Sequence, residues 1–285
     1  MKNTAPPPEL DALLRPGQSI ELLKQLHILT RDGKLNQDSR RKLKQVNHLC
    51  QLIEPLIAQC QPHDAAMSLA DHGAGKSYLG FLLLDLVLKH RAQPFAMYGI
   101  ETRKDLVDKS SALAKQLGFT QMHFLESSVA DATASTVLPQ KIDIVTALHA
   151  CDTATDDAID FALAKSAQAI VLVPCCQAEL ARHLREYKNA ALGATPLAQL
   201  WRHPIHTREI GAHLTNVLRC LKLEAAGYDV TVTELVGWEH SMKNELILAT
   251  KRKSKPHGDA GAKLNALIEQ FHLQGLRARF TYAGN

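Results

Sequence analysis

The sequence predicts an α/β protein whose central sheet is mostly parallel and is covered by helices on both faces. Between about residues 65 and 253, short β-branched or apolar runs alternate with longer amphipathic stretches. A glycine-containing turn follows the first run directly, and the last two runs have no long helical stretch between them. The seven predicted strands are AAMSLA, PFAMYGI, MHFLE, KIDIVTAL, QAIVLV, YDVTVTELV and ELILATK.

The last two predicted strands must be antiparallel neighbours, because a parallel connection needs a crossover of roughly a dozen residues or more. The other five strands are each followed by a helical stretch, which predicts parallel pairing. These features together predict a Rossmann-like, seven-stranded sheet, mostly parallel, with an antiparallel hairpin at its end. This is the arrangement of methyltransferases that use S-adenosylmethionine (SAM).

Two further segments flank the predicted SAM-binding domain, which we assign to residues 64–253. Residues 1–63 are predicted to form an N-terminal helical extension, in which Ser39 can cap a helix after a proline-rich start. Residues 254–285 are predicted to form a linker and a C-terminal helix. Apolar residues recur at helical spacing in the extension, at Leu43, Val46, Cys50, Ile53 and Ile57.

Composition narrows the class of protein. With 285 residues, of which 46% are hydrophobic, the chain can bury a sizeable core, and a net charge of +4 means that any basic surface is local. The N-terminus has no apolar leader, and the longest apolar run, FLLLDLVL, is interrupted by Asp85 and too short to span a membrane. Six cysteines without CxxC spacing indicate reduced thiols. We therefore expect a cytoplasmic protein without a membrane partner.

The turn after the first strand reads LADHGAGKSYLG and places Gly73 and Gly75 where the chain enters a helix. Glycine allows close backbone approach, and a helix N-terminus offers unpaired N–H groups to a ligand. A triphosphate-binding loop would fit Lys76, but Ala70 stands at its leading glycine position and no Mg²⁺-binding aspartate closes a later strand. A dinucleotide loop would need glycine in place of Tyr78.

The SAM form of this turn is an acidic residue followed by alternating glycines. Asp71, Gly73 and Gly75 supply it, with Ser77 in place of the frequent third glycine. At the end of the next strand, Glu101 stands where an acid can bind both ribose hydroxyls. An alternative role for this acid is to cap the helix that begins at TRKDLVDK, and the two roles are compatible.

The loops after the fourth and fifth strands carry an unusual set of polar residues. Ligands in open α/β sheets bind beyond the carboxyl ends of the strands, so these loops are expected to face the transferred methyl group. The fourth strand ends in LHACDTATDDAI, with His149, Cys151 and Asp152, and the fifth in VPCCQAE, with Cys175 and Cys176. Hydrophobic packing alone does not require such residues.

With these motifs the sequence resembles class I SAM-dependent methyltransferases that carry LHxC on strand four and PCC or CC on strand five. Their relatives include eukaryotic tRNA 2′-O-methyltransferases and uncharacterised methyltransferase-like proteins. The resemblance covers about residues 40 to 251, including KQVNHL, DHGAGKSYL, GIE, LHACDTATDDAI, VPCCQAE and EHSMKNELILA. The HAC and PCC segments are its specific part. One departure is Asp152, which stands where many relatives have glycine.

Two sets of site residues follow. The predicted cofactor-binding residues are Asp71, Gly73, Gly75, Lys76, Glu101, Ser127 and His149. The predicted catalytic residues, which by resemblance line the reaction pocket, are His149, Cys151, Asp152, Cys175 and Cys176.

Individual roles in the second set stay open. His149 could accept a proton, since imidazole titrates near neutrality, or it could hold the Asp152 loop by a hydrogen bond. The cysteines are similar in position to those of cytosine-5 RNA methyltransferases, where a thiolate attacks the base, but they could also pack as inert small hydrophobes. We predict no metal; a zinc ion held by His149 and the cysteine pair is the alternative.

RNA is the predicted acceptor, because two basic clusters could contact phosphates. The tetrapeptide NPPY or DPPY, expected for methylation of an exocyclic amine, is absent after strand four. One alternative is a methyltransferase of proteins or small molecules, with a pocket shaped by Trp201, His203, His206 and Trp238; another is a non-catalytic SAM-binding protein. The basic clusters are Arg40, Arg41, Lys42 and Lys44, and Lys251, Arg252, Lys253 and Lys255.

Overall fold

The computed structural model describes residues 10, 12–30, 32–34, 36–148, 150–174, 177–186, 196–235, 245–253 and 258–282. These residues form a seven-stranded sheet with helices on both faces. The strands are β1 (Met67–His72), β2 (Phe95–Glu101), β3 (Met122–Glu126), β4 (Ile144–Ala147), β5 (Ala169–Leu172), β6 (Tyr228–Glu234) and β7 (Glu245–Lys251).

The strand order is β3-β2-β1-β4-β5-β7-β6. Strands β1 to β5 pair in parallel, whereas β7 pairs antiparallel with both β5 and β6. The predicted Rossmann-like sheet with a terminal antiparallel hairpin is therefore confirmed. Its topological switch point lies between β1 and β4, where successive connections leave in opposite directions.

Helices cover the two faces of the sheet, and the alternation of side chains along each strand divides the core between them. The helices are α1 (Ile20–Gln25), α2 (Gln37–Gln59), α3 (Tyr78–Leu86), α4 (Lys104–Leu117), α5 (Val129–Ala134), α6 (Ala154–Ala164), α7 (Glu179–Glu186), α8 (Pro204–Ala225), α9 (Ala260–Gln270) and α10 (Arg277–Phe280). Leu69 and Val171 belong to a core cluster with α1 to α4, whereas Ala70 and Ile170 belong to a second cluster with α5, α6 and the end of α8.

Helix α3 is buried on all sides. An all-round apolar helix needs cover on its outer face, and Leu43 and Ile53 of α2 belong to the same core cluster as α3. Its one charged residue, Asp85, accepts hydrogen bonds from the backbone N–H of Ser19 at 2.8 Å and from Lys89 Nζ at 2.5 Å. The N-terminal extension therefore shares its core with the sheet. Among the described residues, no helix is long and apolar enough to cross a membrane.

Helix α2 begins earlier than predicted. Asn36, rather than Ser39, is its N-cap: the extended backbone of Asn36 lets its side-chain oxygen accept the backbone N–H of Ser39 at 2.7 Å. The side chain of asparagine caps the backbone N–H groups of a first turn as well as that of serine does, so the prediction based on Ser39 placed the helix start three residues too late.

The C-terminal segment packs on α7 and α8 through a third apolar cluster, which contains Trp201, Leu218, Leu264 and Phe280. Lys222 of α8 is fully buried beneath it and donates a hydrogen bond to the carbonyl of Arg279 at 2.6 Å. The third cluster thus fixes α9 and α10 against the helix that leads into the terminal hairpin.

One buried carboxylate ties the amino ends of three strands together. Asp143, which immediately precedes β4, accepts the backbone N–H and the hydroxyl of Ser68 in β1 at 2.8 and 2.9 Å. Its other oxygen accepts from the backbone N–H of His63 at 2.8 Å and from Gln168 Nε2, before β5, at 3.0 Å. Asp143 is 0% exposed, and the buried backbone N–H and hydroxyl of Ser68 both depend on it, whereas Gln168 Nε2 also donates to the carbonyl of Gln61.

We predict that Asp143→Ala lowers the free energy of unfolding by about 3 kcal/mol, because it leaves several buried donors unpaired. Urea unfolding measures the change. The exposed Asp64 offers a matched control, and Asp64→Ala is expected to stay within about 0.5 kcal/mol of wild type. Equal stability of the two variants would contradict this account.

Candidate active site

A cavity of about 1190 Å³ lies at the carboxyl ends of β1 to β4, beside the switch point of the sheet. In open α/β sheets ligands bind at this place. Helix α6 closes one side with Phe161, and the strand-end loops supply the rest of the wall. Strand-end residues on the wall are Gly73, Gly75, Lys76, Glu101, Thr102, Arg103, Ser127, Ser128, Ala150 and Cys151.

The glycine loop, residues 73–77, turns the chain from β1 into α3 with left-handed backbone angles. The φ angles are 62° at Gly73, 57° at Gly75 and 49° at Ser77. A Cβ at Gly73 would lie 3.4 Å from the Cα of Ala150 after β4, so this loop and the β4 loop are in close contact. Glycine at these positions leaves the backbone exposed to a ligand.

Close packing of α3 on the sheet comes from Gly80, which sequence reasoning did not single out. A Cβ at Gly80 would lie 2.6 Å from the hydroxyl oxygen of Ser77 and 3.0 Å from the sulfur of Met97. The sequence analysis placed Ser77 at the third glycine position, whereas Gly80, one turn later, is the residue that allows the close approach.

Glu101 links the end of β2 to the glycine loop. Its Oε2 accepts the backbone N–H of Gly75 at 2.8 Å, and its Oε1 accepts the backbone N–H of Arg103 at 3.0 Å. Burial acts to raise the pKa of Glu101, but the hydrogen bonds from Arg103 and Gly75 outweigh it and hold this pKa below its usual range. The carboxylate is thus ionised, and it also binds the backbone at the start of α4.

Asp71 lies behind the cavity wall rather than on it. It is 2% exposed, its Oδ1 accepts the Thr146 hydroxyl at 2.8 Å, and its Oδ2 accepts the Ser77 hydroxyl at 3.4 Å. Burial raises the pKa of Asp71 to about 7, although these two hydrogen bonds act in the opposite direction. Asp71 thus links β1 to Thr146 of β4 and supports the glycine loop through Ser77.

The remaining predicted cofactor-binding residues that the structure describes reach the wall of the cavity. Lys76 is exposed, and Ser127 is half-buried, with its backbone N–H donating to the carbonyl of Glu101 at 3.1 Å. Five of the seven predicted cofactor residues therefore surround one cavity; Asp71 lies beneath it, and His149 lies outside the described residues.

In the loop after β4, Cys151 is exposed on the cavity wall, whereas Asp152 does not line the cavity. Asp152 adopts a left-handed backbone, φ 51°, and its Oδ1 accepts the backbone N–H groups of Ala178 and Glu179 at 2.9 and 3.2 Å. Its side chain therefore joins the loop after β4 to the start of α7. Of the other predicted catalytic residues, His149, Cys175 and Cys176 lie outside the described part of the chain.

Arg219 of α8 is fully buried and holds the loop after β4. Arg219 of α8 binds both carboxylate oxygens of Asp156, at 2.8 and 2.7 Å, and donates to the carbonyl of Asp152 at 2.7 Å. Its third nitrogen donates to Asn216 Oδ1 at 3.1 Å, and Asn216 in turn donates to Glu245 of β7 at 2.7 Å. The network connects β7, α8, α6 and the loop that carries Cys151.

Residues 41–183, just over half of the chain, match the family described as a methyltransferase domain. The chain belongs to this methyltransferase family. It uses SAM as its cofactor, and family membership decides between the ligand classes that the glycine loop left open. No match is found among curated proteins.

Solved structures of similar fold include a magnesium protoporphyrin IX methyltransferase from Synechocystis with bound S-adenosylhomocysteine (SAH), at 15% identity over 81% of this chain and 94% of that chain, TM-score 0.45. An rRNA methylase from Streptococcus thermophilus has 10% identity over 71% and 95%, TM-score 0.42. A Corynebacterium glutamicum protein has 14% identity over 87% and 96%, TM-score 0.48.

The sequence analysis did not single out several residues that line the cavity of the methyltransferase. His72 and Tyr78 flank the glycine loop, Arg103 follows Glu101, and Phe161 and Asp157 project from α6. His72 and Arg103 could have been found, because His72 follows Asp71 directly and Arg103 lies two positions after Glu101. Phe161 and Asp157 follow ordinary helical spacing, which gives no sign of a cavity.

The residues of the other site alternatives lie apart from this cavity or outside the described residues, as do His149, Cys175 and Cys176 of the zinc alternative. Trp201 is fully buried against Phe271, with ring centroids 6.0 Å apart, and neither His203 nor His206 lines the cavity. The pocket expected from these residues is thus separate from this cavity if it exists in the folded chain, and Trp238 lies outside the described residues. Within the described ranges no group of three or more possible ligands could hold a metal ion.

The raised pKa of Asp71 makes a prediction about pH. Unfolding releases this carboxyl to its ordinary pKa near 3.8, so the folded methyltransferase holds an extra proton between about pH 4 and pH 7. The stability that Asp71 contributes is therefore present at low pH and is lost as pH rises through about 7.

We expect Asp71→Asn, which mimics the protonated acid, to abolish this loss. The free energy of unfolding of the variant, relative to wild type, should rise by on the order of 3 kcal/mol between pH 5 and pH 8. Urea titrations at both pH values measure it, with the exposed Asp108→Asn as control. A relative stability that is constant with pH would show that Asp71 stays ionised.

Proposed function

We propose that the methyltransferase seats SAM across the glycine loop, with Glu101 binding the ribose hydroxyls, and transfers the methyl group to RNA. The contact between Glu101 and Gly75 carries the cofactor part of this proposal. It places an ionised carboxylate and an exposed loop backbone side by side on one cavity wall. Such a pair suits a nucleoside with two neighbouring hydroxyls.

Glu101 is positioned by two short backbone bonds and shielded by longer side-chain contacts. The contacts from Thr102 Oγ1 and from Arg103 Nε and Nη2 are 3.3, 3.3 and 3.5 Å long, and the Arg103 side chain is 65% exposed. Ribose hydroxyls can replace these longer contacts, while the bonds to the backbone N–H groups of Gly75 and Arg103 keep the carboxylate in place.

Methyl transfer from a sulfonium is an in-line displacement, so correct placement of cofactor and acceptor supplies most of the rate gain, about 7–11 kcal/mol at best. The acceptor would enter beside Cys151, on the wall adjacent to the glycine loop. The network around Arg219 would hold that edge still. His149, Cys175 and Cys176 lie outside the described residues, and only the sequence resemblance supports assigning them to the acceptor side.

An RNA acceptor is supported by the likeness of LHACD and PCC to segments of tRNA 2′-O-methyltransferases, and by the exposed residues Arg41, Lys42 and Lys44 at the start of α2. The second basic cluster is less suited. Lys251 pairs with the residue before β5, its backbone N–H donating to Gln168 at 2.8 Å, so it lies at the sheet end opposite the cavity. We therefore assign phosphate contacts to α2.

If Glu101 binds the ribose hydroxyls, Glu101→Gln weakens SAH binding by about 10- to 100-fold. This is the loss of affinity expected when hydrogen bonds to a charged acceptor become hydrogen bonds to a neutral one. Isothermal calorimetry on the whole chain measures the affinity. Glu126→Gln is the matched control, because Glu126 is the register partner of Glu101 on β3 and does not line the cavity. SAH binding unchanged by Glu101→Gln would contradict the ribose assignment.

The RNA part predicts that methyl-labelled SAM transfers label to RNase-sensitive material in extract from cells that lack the protein. The double charge reversal Arg41→Glu and Lys44→Glu should reduce this transfer about tenfold without changing SAH affinity, since phosphate contacts dominate affinity for nucleic acid. The matched reversal of Lys251 and Lys253 should change it little.

Two other outcomes would replace the RNA acceptor. Label that survives RNase and disappears with protease identifies a protein acceptor, and label in the low-molecular-weight fraction identifies a small molecule. SAH binding with no label in any fraction would indicate a non-catalytic SAM-binding protein.

A further inference from the structure

Arg103 is a cation on the cavity wall to which the proposed function gives no role beyond shielding Glu101. It directly precedes the first residue of α4 and lies two positions after the end of β2. Its backbone N–H donates to Glu101 Oε1 at 3.0 Å, which fixes the main chain. Its side chain is 65% exposed, so the guanidinium can move without disturbing the core.

The contacts of the Arg103 guanidinium with Glu101 are weak. Nε and Nη2 donate to the two carboxylate oxygens at 3.3 and 3.5 Å, near the upper limit of length for a hydrogen bond. Exposed ion pairs contribute little stability, because solvent screens the attraction and the long side chain loses conformational freedom. A ligand that forms shorter bonds to the carboxylate can therefore displace this side chain at little cost.

The proposed seat of SAM makes the cofactor a competitor of Arg103. A carboxylate has about four sites at which it accepts hydrogen bonds. The short bonds from the backbone N–H groups of Gly75 and Arg103 use one site on each oxygen of Glu101. The two ribose hydroxyls then need the sites that Nε and Nη2 of Arg103 use in the structure. Cofactor binding thus releases a guanidinium on the cavity wall.

A second cation lies on the same stretch of wall. Lys76 directly follows Gly75 in the glycine loop, is exposed to the cavity, and makes no ion pair within the described part of the chain. Gly75 is itself bonded to Glu101, the residue that Arg103 leaves. The released guanidinium and the ammonium of Lys76 therefore lie on the same side of the cavity.

Two cations without acidic partners attract an anion, and the shapes of the two groups indicate which kind. A guanidinium binds two oxygens of a phosphate at once, and an ammonium adds a point charge beside it. The acids Asp157 and Asp160 line the cavity from α6 rather than from the glycine loop, and Asp160 is paired with Lys222 at 2.6 Å. A phosphodiester that enters beside the glycine loop therefore meets a positive surface.

We propose that binding of the cofactor frees Arg103 from Glu101 and that the freed guanidinium, together with Lys76, binds a phosphate of the acceptor RNA. The inference rests on the proposed function and adds a coupling between the two substrates. Coupling of this kind is reciprocal, so the cofactor strengthens RNA binding by the same factor by which RNA strengthens cofactor binding. RNA would then bind preferentially to protein that already carries a methyl donor.

Calorimetry with SAH alone tests the competition on the whole chain. Arg103→Gln should bind SAH about two- to fivefold more tightly than wild type, because the variant has no guanidinium to displace from Glu101. A residue that contacts the cofactor would show the opposite change when it is substituted. Lys104→Gln is the matched control, because Lys104 is a neighbouring exposed cation that does not line the cavity, and its SAH affinity should equal that of wild type.

Filter binding of RNA from cells that lack the protein tests the phosphate contact. Wild type should bind this RNA more tightly when SAH is present, and the slope of log affinity against log salt should steepen by about 0.7 to 0.9, the value for one added phosphate contact. Arg103→Gln should bind RNA equally with and without SAH. The measurement on wild type needs no variant, so it decides the coupling even where a substitution alters the fold.

The outcomes separate this inference from the proposed function. SAH binding that Arg103→Gln leaves unchanged or weakens, or RNA binding by wild type that SAH does not affect, overturns the role of Arg103, while loss of SAH affinity in Glu101→Gln still supports the ribose seat. Absence of SAH binding to wild type overturns the cofactor seat as well. SAH binding without any RNA binding overturns both the phosphate contact and the RNA acceptor.

Discussion

Two buried carboxylates bridge β1 and β4, and the cavity depends on this pairing. Asp143 binds Ser68 at the amino end of the two strands, and Asp71 binds Thr146 near their carboxyl end, across 75 residues of sequence in each case. Because β1 and β4 lie side by side while their following connections lead away in opposite directions, a crevice opens above them. Asp71 also supports Ser77 of the glycine loop, so one side chain holds both the strand pair and the loop above it.

A buried ion pair holds the loop after β4. Arg219 pairs with Asp156 inside the protein, and a buried ion pair of this kind contributes little net stability, since the loss of hydration largely offsets the attraction. Its role is to position the guanidinium of Arg219. The bond from Arg219 to the Asp152 carbonyl keeps that residue in its left-handed conformation, which in turn directs its carboxylate to the start of α7. The loops after β4 and β5 are thereby joined.

Local patterns sufficed for the sheet and for several residues of the cavity wall. Strand periodicity and the short β6–β7 connection specify the topology, and Gly75 and Glu101 stand at strand ends where the pattern itself predicts a site. Pairings between distant residues leave no such pattern. Arg219 and Asp156 are 63 positions apart, and nothing in either helix marks them as partners. For the same reason nothing in the sequence indicates that the side chain of Asp152, which the resemblance places in the reaction pocket, accepts the backbone N–H groups of Ala178 and Glu179 at the start of α7.

This difference follows from the chemistry. SAM is the same molecule in every methyltransferase of this kind, so the residues that hold it must satisfy fixed demands: a backbone without side chains, an acid for the sugar and a flat wall for the base. The acceptor differs from enzyme to enzyme, and a displacement that proceeds mainly by positioning needs few dedicated groups. In the proposed arrangement, acceptor choice rests on the strand-end loops around Cys151 and on the surface charge at the start of α2. In this arrangement the cofactor is held at the ends of β1 and β2, next to the switch point, whereas the loop after β4 is anchored separately through Arg219 of α8.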